Sequence, residues 1–146
     1  ANGQHKAALE VFTFAQQLSP AEAWLYYEGA RSWFAMADLD RALAWVNQAI
    51  AADSAEGCFY EEQAIYLHHK KDFQGCIGAI NHAIERGWVT AKIHAYKAQM
   101  LMHFGKKTAA IAGYGEALKL LATLRTMSFW ICPRMEASHF CLFILH

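Results

Sequence analysis

The chain repeats itself every 34 residues, and this stride constrains its fold more than any other feature. Small residues recur at this spacing in two columns, with a column of large apolar residues between them. The first small column holds Ala8, Ala42, Cys76 and Ala110, the second holds Ala15, Ala49, Ala83 and Ala117, and the large column holds Phe12, Val46, Ile80 and Tyr114. An earlier part of the unit adds Ala30, Ala64 and Ala98, and also Trp33, Leu67 and Leu101. A repeat of this length accommodates two antiparallel helices and their turns.

Helix packing explains why small and large columns alternate. Within one unit, Ala42, Val46 and Ala49 step by four and then three residues, so they share one face of a helix. Small residues are needed where two helix backbones approach closely, and large residues fill the space between helices. Abundant alanine, 2 prolines and few β-branched runs also favour helix over strand. We therefore expect an all-α solenoid of stacked antiparallel helix pairs.

These columns resemble the tetratricopeptide repeat (TPR), a helix–turn–helix unit of about 34 residues. The resemblance extends from about residue 7 to residue 122 and implies a right-handed α-solenoid. The predicted parts are a solenoid over residues 1–122, with a half repeat at 7–20 that ends on Pro20 and three units starting near 23, 57 and 91, and an apolar capping or interaction tail over 123–146.

The segment LHHKKDFQGC carries two histidines, two lysines and a cysteine, which could serve a metal site, a phosphate site or a plain turn. In the repeat register, LHH ends a first helix, KKD forms the turn and FQGC begins the second helix. Cys76 then takes a small-residue position, where a thiol packs as a small hydrophobe. His69 and His103 are equivalent in neighbouring units, but a zinc or copper site needs three or four converging ligands. We therefore predict no metal and no other cofactor.

One face of each first helix is the candidate binding surface. In TPR proteins, positions 2, 5, 9 and 12 of the first helices line a concave groove, and steps of three and four keep such positions on one face. These positions hold Trp24, Tyr27, Arg31 and Phe34 in the first unit, Cys58, Glu61, Ile65 and His68 in the second, and Lys92, Ala95, Gln99 and Met102 in the third, with His103 one step round. The resemblance implies a peptide-binding groove here, built from these residues other than Cys58 and Ala95. The aromatic residues of the first unit could equally pack under the helix that precedes them.

No motif in the sequence assembles a catalytic site, since it lacks a phosphate-binding loop, HExxH, GxSxG and paired carboxylates, so we do not expect an enzyme. Basic and acidic residues number 13 each, so no net charge draws the chain to nucleic acid. The resemblance implies a protein–protein interaction module that holds a peptide or protein segment on its concave face, as an adaptor or assembly scaffold. Two alternatives are a self-assembling oligomer or filament, and a regulatory module of a larger protein.

One TPR subgroup binds the acidic C-terminal tail of chaperones through lysines and asparagines of the first helices. Here Tyr27 stands at the lysine position and Arg31 at the asparagine position of the first unit. Glu62 stands at the asparagine position of the second unit, and Lys92 alone agrees. The resemblance does not extend to this ligand, and the mixed groove instead predicts a peptide with apolar anchors.

The end of the chain breaks the repeat. Cys132 lies 34 residues after Ala98, but Pro133 interrupts the unit and the apolar segment FCLFIL closes the chain. This tail could cap the last repeat, could pack on another subunit through residues 128–146, or could be a truncated end, and it is too short to span a bilayer.

The N-terminus carries no signal-peptide pattern. The 4 cysteines show no CxxC spacing and are expected to be reduced thiols, which favours a cytoplasmic location.

Overall fold

The computed structural model describes residues 2–18 and 22–131, which form helices joined by short connections. The helices are α1 (Asn2–Leu18), α2 (Ala23–Ala35), α3 (Leu39–Ala52), α4 (Gly57–His69), α5 (Phe73–Glu85), α6 (Ala91–His103) and α7 (Lys107–Ile131). No β-strand occurs within these ranges, so the predicted all-α class is confirmed.

The helices pack in the order of the chain. The pairs α2 with α3, α4 with α5 and α6 with α7 form hairpins, and α1, α3 and α5 each pack on the helix that follows. We call α2, α4 and α6 the A helices, and α3, α5 and α7 the B helices. Contacts between α2 and α4 bring the first two A helices side by side. The predicted stack of antiparallel helix pairs is confirmed.

The small-residue columns lie where these helices meet. Fully buried members of the columns are Ala30, Ala42, Ala49, Cys76, Ala83, Ala98 and Ala110. Val46 and Ile80, the large residues between the columns, are also fully buried. The side chain of Ala15 lies outside the described residues. At these buried positions the columns pack as their spacing predicted, because small residues let the backbones approach and large residues fill the gaps. Tyr114, in the same large column, is instead 40% exposed.

The segment LHHKKDFQGC is a helix–turn–helix, as its register predicted. Its turn residue Lys71 has a left-handed φ of +64°, as do the equivalent residues Ala37 (+62°) and Gly105 (+75°) one stride away on either side. Asp72 caps α5, since its carboxylate accepts a hydrogen bond of 3.0 Å from the backbone N–H of Gly75. The two histidines therefore end α4, and the two lysines lie in the turn that leads to α5.

Both ends of the predicted solenoid differ in detail from the repeat boundaries. Helix α1 begins at Asn2, before the half repeat predicted at 7–20, and α7 continues without a break through residue 122 to Ile131. Residues 19–21 and 132–146, with Pro20, Cys132, Pro133 and the FCLFIL segment, lie outside the described residues. The division at residue 122 stays a prediction. None of the described helices is both long and apolar enough to cross a bilayer.

Gly29 illustrates how closely the first helix pair is packed. The ring of Trp45 lies over this glycine, and a Cβ at position 29 would be 2.1 Å from Trp45 Cε3. The residues equivalent to Trp45 in the next two units are smaller, Ala79 and Gly113. The ring of Trp45 thus occupies a space that is open only because residue 29 has no Cβ.

We expect Gly29→Ala to lower the free energy of unfolding by about 1–3 kcal/mol, because overpacking outweighs the better helix propensity of alanine. Gly78 is the matched control, since a Cβ there meets nothing within 4 Å. We expect Gly78→Ala to raise the free energy of unfolding by about 0.5–1 kcal/mol, because alanine loses less backbone entropy in a helix. Urea denaturation of both variants measures this pair, and shifts of the same sign would contradict the described packing.

Candidate functional site: a groove along the A helices

A pocket of about 550 Å³ opens on the face that the A helices share. Its lining consists of Glu28, Arg31, Ser32, Phe34 and Ala35 from α2, Glu62, Ile65 and His69 from α4, and Lys92 and Tyr96 from α6. We call this pocket the A-helix groove. Each lining residue lies three or four positions from another one on its own helix, so one side of every A helix faces the groove.

Four of the predicted binding residues lie in the groove. Arg31 and Phe34 line it from α2, Ile65 from α4 and Lys92 from α6. Phe34 also stacks on Tyr66 with ring centroids 4.8 Å apart, so its ring supports the groove wall as well as lining it. The structure therefore brings the centre of the predicted surface together across three helices.

The aromatic pair of the first unit lies beside the groove lining and packs between repeats. Trp24 and Tyr27 contact Phe59 of α4, with ring centroids 5.1 and 5.2 Å apart. Phe59 is fully buried, whereas Trp24 remains 46% exposed. These contacts join the first two A helices, so both residues stabilise the stack that forms the groove.

Glu61 is a buried carboxylate with a structural set of partners. It is 8% exposed, and its Oε2 accepts hydrogen bonds from Trp88 Nε1 at 2.6 Å and from Thr90 Oγ1 at 2.8 Å. Its Oε1 lies 3.8 Å from Lys92 Nζ. Trp88 and Thr90 belong to the connection between α5 and α6, so Glu61 fixes where the third A helix begins.

The other predicted residues lie towards the far ends of α4 and α6, outside the groove lining. His68 packs on Tyr96 with ring centroids 5.1 Å apart, and burial lowers the pKa of His68. The ring of His103 contacts Phe73 at a centroid distance of 4.1 Å. Gln99 and Met102 are exposed. Within the described residues, no three histidine, cysteine, aspartate or glutamate side chains come together as metal ligands would.

Six groove residues were missed by the sequence analysis. These are Glu28, Ser32, Ala35, Glu62, His69 and Tyr96. Three of them, Glu28, Glu62 and Tyr96, are themselves 34 residues apart and lie one step round the helix from the predicted positions. Their 34-residue spacing could have identified these three residues, if every position on this face of the A helices had been compared between units.

The charges in the groove are largely paired. Arg31 Nη1 lies 3.2 Å from Glu28 Oε1, and Lys92 is close to Glu61. Burial raises the pKa of Glu62, while interactions with the Tyr66 hydroxyl, Arg31 and Lys92 oppose this shift. The groove therefore combines apolar and charged side chains and carries no dense cluster of one charge.

The raised pKa of Glu62 makes its contribution to stability depend on pH. The folded chain holds this proton more tightly than the unfolded chain, so the contribution falls as the pH rises above the ordinary glutamate value of 4.5. Glu62→Gln removes the charge and this dependence. We therefore expect the stability of the variant relative to wild type to increase between pH 4.5 and neutral pH, measured by urea denaturation across that range. A constant difference between the two would contradict the burial of this carboxyl.

No protein-family model matches the sequence, and no curated protein matches it significantly. Solved structures nevertheless share its fold. MamA from Desulfovibrio magneticus RS-1, residue 41 to the end, is 17% identical with a TM-score of 0.72, covering 83% of this chain and 68% of that chain. YrrB, described as a TPR protein with an unusual peptide-binding site, is 20% identical with a TM-score of 0.71, covering 77% of this chain and 58% of that chain.

A third similar structure is the second TPR of Spaghetti (RPAP3) bound to the HSP90 peptide SRMEEVD. It is 20% identical with a TM-score of 0.65, and the match covers 73% of this chain and 97% of that chain. At these identities the likeness shows the fold. The chain has the fold of a TPR solenoid, as its repeat columns predicted.

Proposed function

We propose that this chain is a protein–protein interaction module whose A-helix groove holds a peptide or a segment of another protein, as an adaptor or scaffold does. The observation that carries this proposal is the pocket of about 550 Å³ that one face of three successive A helices lines. Its apolar lining includes Phe34, Ile65 and Tyr96, and its charged lining includes Glu28, Arg31, Glu62 and Lys92. Concave sites of this size are typical of ligand binding.

The comparisons support the same class of function. YrrB is described with a peptide-binding site, and the RPAP3 repeat was solved with a bound peptide. Both are similar in fold to this chain over at least 73% of its length. The fold that they share with this chain supports a peptide as the class of ligand. The side chains of the A-helix groove indicate which peptides it would favour.

The paired charges indicate which peptides the groove favours. An acidic ligand would compete with Glu28 for Arg31 and with Glu61 for Lys92, so it would gain little net electrostatic energy. A large apolar side chain could instead enter the space between Phe34, Ile65 and Tyr96 and be buried there. We therefore propose a ligand segment with an apolar anchor and uncharged or mixed-charge neighbours.

The described thiols support an interaction role rather than a nucleophilic one. Burial raises the pKa of Cys58 and of Cys76 to about 11 each. At neutral pH both therefore remain protonated, and a protonated thiol is a poor nucleophile. Both are free and buried, which fits residues that fill space between helices.

The proposal is tested by selecting peptides from a random displayed library on the folded protein and measuring their affinity for two variants. Ala35 is exposed at the end of α2 and lines the groove, so Ala35→Trp would fill it without entering the core. Ala52 is exposed at the end of α3, away from the groove lining, and Ala52→Trp is the matched control.

We expect the selected peptides to share a large apolar residue. Ala35→Trp should weaken their binding by about tenfold or more, which is the scale of a central interface contact. Ala52→Trp should leave binding within about twofold of wild type, as peripheral contacts do. Equal affinities for both variants would show that the groove is not the binding site.

A further inference from the structure

The carboxylate of Glu62 lines the A-helix groove from α4 and differs from the other charges there. Arg31 Nη1 lies 3.2 Å from Glu28 Oε1. Lys92 Nζ lies 3.8 Å from Glu61 Oε1. Among the side chains that the structure describes, no lysine, arginine or histidine nitrogen lies within 4.0 Å of the Glu62 carboxylate. These three carboxylates and two cations together leave one negative charge, and Glu62 is the member without a close counter-ion.

The surroundings of Glu62 disfavour an unpaired negative charge. The residue is partly buried, and burial raises the pKa of its carboxyl. Tyr66, four residues further along α4, has a buried hydroxyl with no hydrogen-bond partner within 3.5 Å among the described groups, so it does not replace a counter-ion. A partly desolvated carboxylate interacts more strongly with a cation than an exposed one does. A ligand that brings a positive charge to Glu62 would therefore gain binding energy.

The groove around Glu62 suits a basic side chain with an apolar stem. Phe34, Ile65 and Tyr96 line the same pocket of about 550 Å³. Lysine and arginine bury their methylene stems against apolar surface while their charged heads reach polar groups. Aromatic faces also attract cations. A lysine or arginine beside the apolar anchor could thus place its stem against these side chains and its charged head at the carboxylate.

We propose that Glu62 binds a lysine or arginine side chain of the ligand, next to the apolar anchor. This inference rests on the proposed function, since it names the ligand chemistry of the same groove. The two cations of the groove would not prevent such binding, because each already lies beside a carboxylate of its own. An acidic side chain in the same place would instead meet the excess negative charge. Glu62 therefore makes the groove select basic over acidic neighbours of the anchor.

A double-mutant cycle tests this contact with peptides that are selected from a random displayed library and that Ala35→Trp binds more weakly. Each lysine or arginine of such a peptide is replaced in turn by norleucine, which keeps an apolar stem without the charge. Affinities are measured for wild type, Glu62→Gln and Glu85→Gln. Glu85→Gln is the matched control, because it removes the same charge from an exposed site at the end of α5, outside the groove lining. Measurement at about pH 8 keeps histidines of ordinary pKa neutral and lysines charged.

We expect the peptides to contain a basic residue whose replacement by norleucine weakens binding to wild type by about tenfold, the scale of a hydrogen bond to a charged group. The same replacement should weaken binding to Glu85→Gln equally and change binding to Glu62→Gln by less than about twofold. Groove-binding peptides without a basic residue, or an equal effect of norleucine in all three proteins, would overturn this proposal and leave the proposed function standing. Failure to select any peptide that Ala35→Trp binds more weakly would overturn both.

Discussion

Glu61→Ala should lower the free energy of unfolding by about 3–5 kcal/mol, because it leaves two donors without their acceptor, at roughly 1–3 kcal/mol each. The carboxylate accepts hydrogen bonds from Trp88 Nε1 and Thr90 Oγ1, and alanine would leave both donors without it. A buried donor that loses its acceptor costs the full penalty of its lost hydration. Equilibrium urea denaturation followed by circular dichroism measures the effect.

Glu61→Gln is the control that separates hydrogen bonding from shape. Both donors bind the same oxygen, Oε2, and a glutamine amide oxygen in that place can still accept from both, although without the charge of the carboxylate. We expect a loss of about 1–2 kcal/mol for this variant. If Glu61→Ala costs less than the glutamine variant, then the connection between α5 and α6 does not depend on this carboxylate.

Phe59→Ala should also lower the free energy of unfolding by about 3–5 kcal/mol, as removal of a buried aromatic ring usually does. Phe59 is fully buried and contacts the rings of Trp24 and Tyr27 on the preceding A helix. Its loss therefore removes core volume and the aromatic contacts that join the first two repeats. Trp24 lies in this contact, so changes in tryptophan fluorescence should accompany the loss of stability.

Phe14→Ala is the matched control, because the same ring is removed from a position that is 64% exposed on α1. Substitutions at exposed sites usually change stability by less than about 0.5 kcal/mol. Similar losses for Phe59→Ala and Phe14→Ala would contradict the assignment of Phe59 to the interface between repeats.

The repeat stride alone was enough to predict the helix pairs and the small residues that pack between them. A small residue at a position such as Ala42 or Ala83 is informative because a larger side chain there would push two helices apart. The stride also placed the turn at Lys71, since Gly105 occupies the equivalent position and glycine favours a left-handed φ. The small residues and the turn recur in every unit at the same spacing, so they could be predicted from the sequence.

The exact lining of the groove depends on contacts that periodicity does not encode. Glu61 and Glu62 are neighbours on α4, yet Glu62 lines the groove and Glu61 is bound by Trp88 and Thr90. Those two partners lie 27 and 29 residues further along the chain, in a connection whose path depends on the packing of α5 and α6. The predicted residues Arg31 and Ile65 line the groove, while the partners of Glu61 could be found only from the tertiary structure.

The exposure of Tyr114 on α7 could not be predicted from the repeat columns either. The large column predicted that Tyr114 would be buried like Val46 and Ile80, but it is 40% exposed because no described helix follows α7. Repeat columns predict which side of a helix can pack on a neighbouring helix. They do not predict whether such a neighbour covers that side.

The most direct test of the proposed function is an NMR titration of the isotope-labelled chain with a peptide selected on it. We predict that the largest chemical-shift changes will occur in α2, α4 and α6, at groove residues such as Arg31, Glu62, Ile65 and Tyr96. The Ala35→Trp variant should lose these changes at the same peptide concentration. Chemical-shift changes confined to α3, α5 or α7 would contradict the proposed function, because the peptide would then bind outside the A-helix groove.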